Sequence, residues 1–187
     1  MNKIKNFFLA TILIFAFANN SRSLEIYPMF GIWDYKHDTD ANAVNFKFVD
    51  NENTVNIKYL GELQRTYDLS LFFDINDGFH NIEISNNRWN SELSAYIATG
   101  FAKPISLTSD QKLNFVPSFS AGLYQEFEEG KDMGLPLEFK TEFGLNYSIF
   151  KNSTFGVAWN HISNADLGSK NPGSDNLLFT FRIKESF

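Results

Sequence analysis

The chain has 187 residues, including 21 Phe, 7 Tyr and 3 Trp, carries no cysteine, and has a formal net charge of −6. Without cysteine there is no disulfide framework, no thiolate metal site and no cysteine nucleophile, and His37, His80 and His161 lack any ligand-like spacing, so a zinc site is not expected. A chain of this size with no internal repeat is read as one domain, and its aromatic, β-branched composition favours strands.

Residues 1–23 read as a secretory signal and residues 24–187 as the mature domain. Lys3 and Lys5 precede a twelve-residue apolar run, Phe7 to Ala18, and a polar segment, Asn19 to Ser23, follows it. Ser21 and Ser23 suit the −3 and −1 positions of cleavage; Ala16 and Ala18 are the alternative. The apolar run is shorter than the ~20 residues a spanning helix needs, although an uncleaved anchor is the bland reading. Cleavage leaves 13 Lys and Arg against 22 Asp and Glu. No basic patch survives, so nucleic acid is not an expected partner. A soluble periplasmic protein and an outer-membrane barrel both remain open, because alternating barrel strands average out in hydropathy.

Along the mature chain, alternation with a period of two recurs. Glu25–Lys36 is apolar and aromatic and ends in the polar turn 37–40. Val44, Phe46 and Phe48 alternate with Asn45 and Lys47. The stretch from Asn53 to Asn76 is ambiguous: Val55, Ile57 and Tyr59 alternate, as do Leu69, Leu71, Phe73 and Ile75, yet Leu60–Arg65 fits a helical turn. It reads as an additional hairpin or an elaborated connection. Further alternation covers Ile82 and Ile84, then Leu93 to Phe101, then Leu113 to Leu123. The clearest case places Leu137, Phe139, Phe143, Leu145, Tyr147 and Ile149 on one face and Glu138, Lys140, Glu142, Asn146 and Ser148 on the other. Turn signals separate these runs, among them Ala41-Asn42, Asn51-Glu52-Asn53, Ser109-Asp110 and Gly168 to Ser174. The spacing fits an antiparallel meander. A sandwich would bury the apolar face and a transmembrane barrel would turn it to lipid. The signal segment and the one-sided run of Phe favour an all-β, up-and-down transmembrane barrel of eight strands, counted without 53–76.

The last two strands carry the chemistry. In Phe155 to Ser163, the residues Phe155, Val157, Trp159, His161 and Ser163 share one face, since side chains two apart on a strand point the same way. A base and a hydroxyl on one face are the minimum a serine nucleophile needs. A Gly/Asn/Pro turn follows, and Asp175 opens the next alternation with Leu177, Phe179 and Phe181. Pairing as a hairpin would set Asp175 opposite His161. Each element also has a plain reading: a structural histidine, an ordinary turn, a solvated carboxylate.

His161-Ile162-Ser163-Asn164-Ala165, followed by Asn171-Pro172-Gly173 and Asp175, resembles the PagL-type lipid A 3-O-deacylases. Val116–Tyr124 and Leu135–Phe139 extend the resemblance, which covers the chain from about Leu93 onward. It implies an eight-stranded outer-membrane barrel with the site on its lipid-facing wall near the extracellular leaflet. It also implies an esterase that removes a (3-hydroxy)acyl chain from lipid A of lipopolysaccharide without metal or cofactor. In the implied roles Ser163 attacks, His161 is the base and Asp175 orients the imidazole, while Asn164 donates its side-chain amide or backbone N–H to the oxyanion. The family usually has Glu at the acidic position; Asp175 is one methylene shorter. Asp166 is nearer in sequence, but its even parity turns it away. A non-catalytic barrel and a periplasmic lipid-binding β protein are the alternatives.

Overall fold

A computed structural model describes residues 24–34, 41–74, 93–128, 131–150 and 153–183 of the chain. The expected signal segment, His37, His80, the Ile82/Ile84 alternation and the C-terminal residues 184–187 lie outside the described residues.

Eight long strands form the wall: β1 (Leu24–Ile32), β2 (Ala41–Ile57), β3 (Gly61–Asp74), β4 (Leu93–Ala102), β6 (Leu113–Glu128), β7 (Leu137–Phe150), β8 (Ser153–Ser163) and β9 (Ser174–Ile183). A two-residue piece, β5 (Ile105–Ser106), pairs beside the start of β6. Every pairing is antiparallel; β4 bridges to β6, and β9 returns to β1 through Met29↔Thr180 to Ile32↔Leu177, so the sheet closes on itself. A closed sheet leaves no unpaired edge, the condition for strands to lie in hydrocarbon.

The choice between sandwich and barrel rests on which face is hidden. Phe30, Phe46, Phe119, Leu137, Phe143, Leu145, Phe155, Val157, Leu177 and Phe179 are exposed. Their strand neighbours Asn45, Lys47, Asp68, Ser120, Glu138, Lys140, Glu142, Asn160 and Asn176 are buried. This inverts a soluble protein and matches a membrane barrel, with an apolar wall outside and polar groups in the lumen. The lumen is not uniform. Towards the rim where β1, β3, β6 and β8 end, it is plugged by Trp33, Phe72, Tyr124, Met133 and Ile162, with the Trp33 and Phe72 rings stacked at 5.0 Å. Mid-barrel lies a charge cluster: Lys140 to Asp68 at 2.6 Å, Lys140 to Glu142 at 3.6 Å, and Lys47 to both Glu142 and Ser118. Towards the opposite rim an interior cavity of about 470 Å³ opens among Glu25, Asn114, Ser148 and Arg182.

The described part of the ambiguous stretch, 53–74, resolves as two strands joined by a tight turn, which corrects three readings. Asn51–Asn53 is a bulge inside β2, where the pairing slips between Asp50 and Thr54. Asp50 Oδ1 accepts the N–H groups of Glu52 and Asn53, each at 3.0 Å, and Oδ2 takes the Asn53 amide at 2.7 Å. The same local bonding by Asp that makes a turn can be absorbed by a bulge. The true hairpin turn is Lys58–Leu60, closed by Leu60 N–H to Ile57 O at 3.0 Å, and Gly61 follows at φ 74°, a conformation glycine adopts without strain. Leu60–Arg65 is therefore not helical. Gly61–Asp74 is the third strand of the eight rather than an extra hairpin.

Candidate active site

The β8–β9 hairpin has the register Val157↔Phe179, Trp159↔Leu177, His161↔Asp175. Odd positions on both strands face outward and even positions inward: Ala158, Asn160, Ile162, Asn176 and Leu178 are all buried in the lumen. His161 and Ser163 thus continue the apolar outer stripe at the plugged rim.

The His161 ring is held on three sides. Its Nδ1 lies 3.2 Å from Asp175 Oδ1; the imidazole side chain is 39% exposed and the carboxylate 8%. Trp159 lies alongside it, with centroids 6.3 Å apart and planes 17° from parallel. Phe143 stacks on Trp159 in turn at 5.7 Å, and Phe115 on Phe143 at 5.9 Å, so aromatic rings lead across the wall to the imidazole. Below the ring is the backbone of Gly173, where an added Cβ would come within 2.9 Å of His161 Cε1. Gly173 also has φ 61°, so both space and conformation call for glycine there. Ser163, the last residue of β8, is half-buried opposite Phe139. Among the described residues no hydrogen bond joins its hydroxyl to the ring; such bonds often tighten only when substrate is present.

Asn164 faces the other way. It is fully buried, and its side-chain amide donates to the carbonyls of Met133 and Lys170, each at 2.8 Å. The expected side-chain oxyanion donor is therefore already committed, and it ties the loop after β8 to the segment before β7. The backbone N–H of Asn164 donates to Asn171 Oδ1 at 3.1 Å. Asp166 is exposed at φ 59° and accepts from the Asn171 amide at 3.0 Å, so it braces the loop and takes no part at the ring.

Two residues with no local sequence signal also meet the hairpin. Asp34, fully buried just after β1, accepts the Asp175 N–H on Oδ1 at 3.4 Å, and its own N–H donates to Asn176 Oδ1 at 2.9 Å. Lys131, just before β7, bonds both Asp34 Oδ2 and the Gly173 carbonyl. Only the closed barrel brings these positions together, so neither spacing nor periodicity could have singled them out.

No group of three or more His, Asp or Glu side chains able to hold a metal occurs among the described residues. A small closed antiparallel barrel, apolar outside and polar within, defines the class of outer-membrane β-barrels, and here it carries a histidine–carboxylate pair and a serine at its outer rim. Residues 61–184 match the family described as Lipid A 3-O-deacylase (PagL), about two-thirds of the chain, and the chain belongs to that family. The barrel is also similar to the crystal structure of the outer membrane enzyme PagL, with a TM-score of 0.53 and 15% identity over 86% of this chain and 99% of that one, a likeness of fold. No curated protein matches the chain.

Proposed function

We propose that this protein acts in the outer leaflet of the outer membrane, after export and removal of residues 1–23, and hydrolyses an ester-linked (3-hydroxy)acyl chain from lipid A by a Ser–His–Asp mechanism. The observation that carries the mechanism is the 3.2 Å approach of His161 Nδ1 to Asp175 Oδ1 on the outward face. With Nδ1–H donating to the carboxylate, Nε2 keeps its lone pair, which fixes the tautomer a general base needs.

The Ser163 hydroxyl attacks the ester carbonyl while Nε2 takes its proton. The tetrahedral intermediate collapses with cleavage of the bond to the sugar oxygen, which leaves with the proton from the imidazolium. Water then attacks the acyl-serine, its proton passes through Nε2 to Ser163 Oγ, and the fatty acid departs. Asp175 stabilises the imidazolium in both halves without itself being protonated. With its side chain committed, Asn164 serves the oxyanion through its backbone N–H, released from Asn171 as the substrate carbonyl arrives; one such donor is typically worth ~3 kcal/mol. The exposed Phe143 and the half-buried Trp159 lie beside the acyl chain, and no metal or cofactor enters the cycle.

Mass spectrometry of lipid A from a Gram-negative host expressing the protein tests this reading. The expected spectrum shows loss of one hydroxyacyl mass, abolished by Ser163→Ala and by His161→Ala. Unchanged lipid A with well-folded wild-type protein in the outer membrane would leave a barrel without the activity.

A further inference from the structure

We propose that Asp34 and Lys131 act as a positioning pair for the catalytic hairpin, gripping its backbone on both sides of Ser174. The inference rests on the Ser–His–Asp reading and assigns what holds that trio in place. Two residues where the connection enters β9 adjoin the His161 ring: Gly173, which leaves no room for a Cβ against Cε1, and Asp175, whose carboxylate meets Nδ1. The pair binds those same two residues. Lys131 Nζ donates to the Gly173 carbonyl, and Asp34 Oδ1 accepts the Asp175 N–H at 3.4 Å, while the pair's own ionic contact joins the two grips.

No strand pairing holds the connection between the two strands. Residues 164–173 form no strand, and the sheet register resumes only at Ser174↔Ile162. Ala165, Asp166 and Gly173 all have positive φ, so the segment follows an irregular path. The holding residues are themselves anchored. Asp34 is completely buried at φ 52°, a conformation uncommon outside glycine that persists only when its surroundings enforce it. The segment carrying Lys131 is pinned to the hairpin loop a second time, by the Asn164 amide on Met133 O and by Gly134 lying directly against Lys170 O. Buried ion pairs contribute little net stability compared with apolar replacements of similar shape, so the arrangement is better explained by geometry than by folding energy. A shift of one or two tenths of a nanometre in Gly173 or Asp175 would move the imidazole directly.

The test uses full-length protein refolded in detergent, with kcat and KM measured for fatty-acid release from purified lipid A and folding checked by heat-modifiable gel migration. Lys131→Met is expected to lower kcat by about 10- to 100-fold, the effect of roughly 1 Å misplacement, with KM within about twofold. Lys131→Arg, which keeps the charge, should recover most of that loss. In an Asp175→Asn background Lys131→Met should add less than about threefold, because a grip that acts through Asp175 and the ring has nothing left to position. Wild-type kcat in Lys131→Met, a loss confined to KM, or a full loss persisting in the Asp175→Asn background would each overturn the proposal. If Lys131→Met fails to fold, Asp34→Asn carries the same test: it preserves shape and the acceptor for the Asp175 N–H while removing the charge, and full activity there refutes the pair. A folded wild type that releases no fatty acid would refute the Ser–His–Asp reading itself, an outcome distinct from an active wild type with indifferent Lys131 and Asp34 variants.

Discussion

The inward and outward faces of β7, β8 and β9 belong to two polar clusters that face opposite ways, the inner one completed by Lys47 of β2 and Asp68 of β3. Inside, Asp68, Lys140, Glu142 and Lys47 are linked through Asn160 to Asn176 and on to Ser174, with Asn160 donating to Glu142 at 3.4 Å and Asn176 to Asn160 at 2.6 Å. Outside, His161, Asp175 and Ser163 form a short constellation with one side-chain bond among them, bordered by exposed Phe and Leu. The inner cluster is dense and has little room to change partners, which suits a structural role. The outer one is open on the membrane side, where a substrate ester can arrive. Polar groups turned into the lumen thus build the wall, whereas a polar group on the outward face among lipid-facing residues is the sign of function, even where, like Asp175, it is covered by its neighbours.

Substitutions can sharpen or break that contrast. Ser163→Ala should show the largest effect, a loss of about 10⁴-fold or more in fatty-acid release with no change in heat-modifiable migration, since removing a serine nucleophile disables the whole triad. Asp175→Asn keeps the shape and misdirects the tautomer, and should lower kcat by about 10³- to 10⁴-fold in the same assay. On the inner side, Lys140→Met strands Asp68 and part of Glu142 as buried carboxylates. It should lower unfolding free energy in urea by about 3–5 kcal/mol while activity per folded molecule stays at the wild-type level. A Lys140→Met protein with normal stability and lost deacylation would reverse the assignment of the two clusters. The smallest effect is expected for Gly173→Ala, which adds a methyl against the ring at a positive φ and should lower kcat by about tenfold, in line with a strain of ~1–2 kcal/mol.

Much of this was legible in the sequence because a strand has a period of two. The parity of residues 155–181 fixed both the outward stripe and the place of His161, Ser163 and Asp175 on it, and the hairpin register followed from a turn rich in Gly, Asn and Pro. What pattern could not decide was which face meets water, since sandwich and barrel write the same alternation; buried Lys140 against exposed Phe143 decides it. Asn51–Asn53 misled because the local bonding of Asp50 serves a bulge as well as a turn. The choice between the side chain and the backbone N–H of Asn164 was not legible, because only the folded loop shows the amide donating to the Met133 and Lys170 carbonyls. Asp34 and Lys131 were invisible: they lie 141 and 42 positions from their partners Asp175 and Gly173, and only closure of the sheet unites them.

The most direct measurement is peptide mapping after treatment of the folded, detergent-solubilised protein with a lipophilic fluorophosphonate, which traps an activated serine nucleophile. The expected result is a single phosphonyl adduct on Ser163, strongly reduced in His161→Ala and in Asp175→Asn. No adduct on Ser163 in protein that deacylates lipid A, or labelling indifferent to His161 and Asp175, would contradict the Ser–His–Asp assignment.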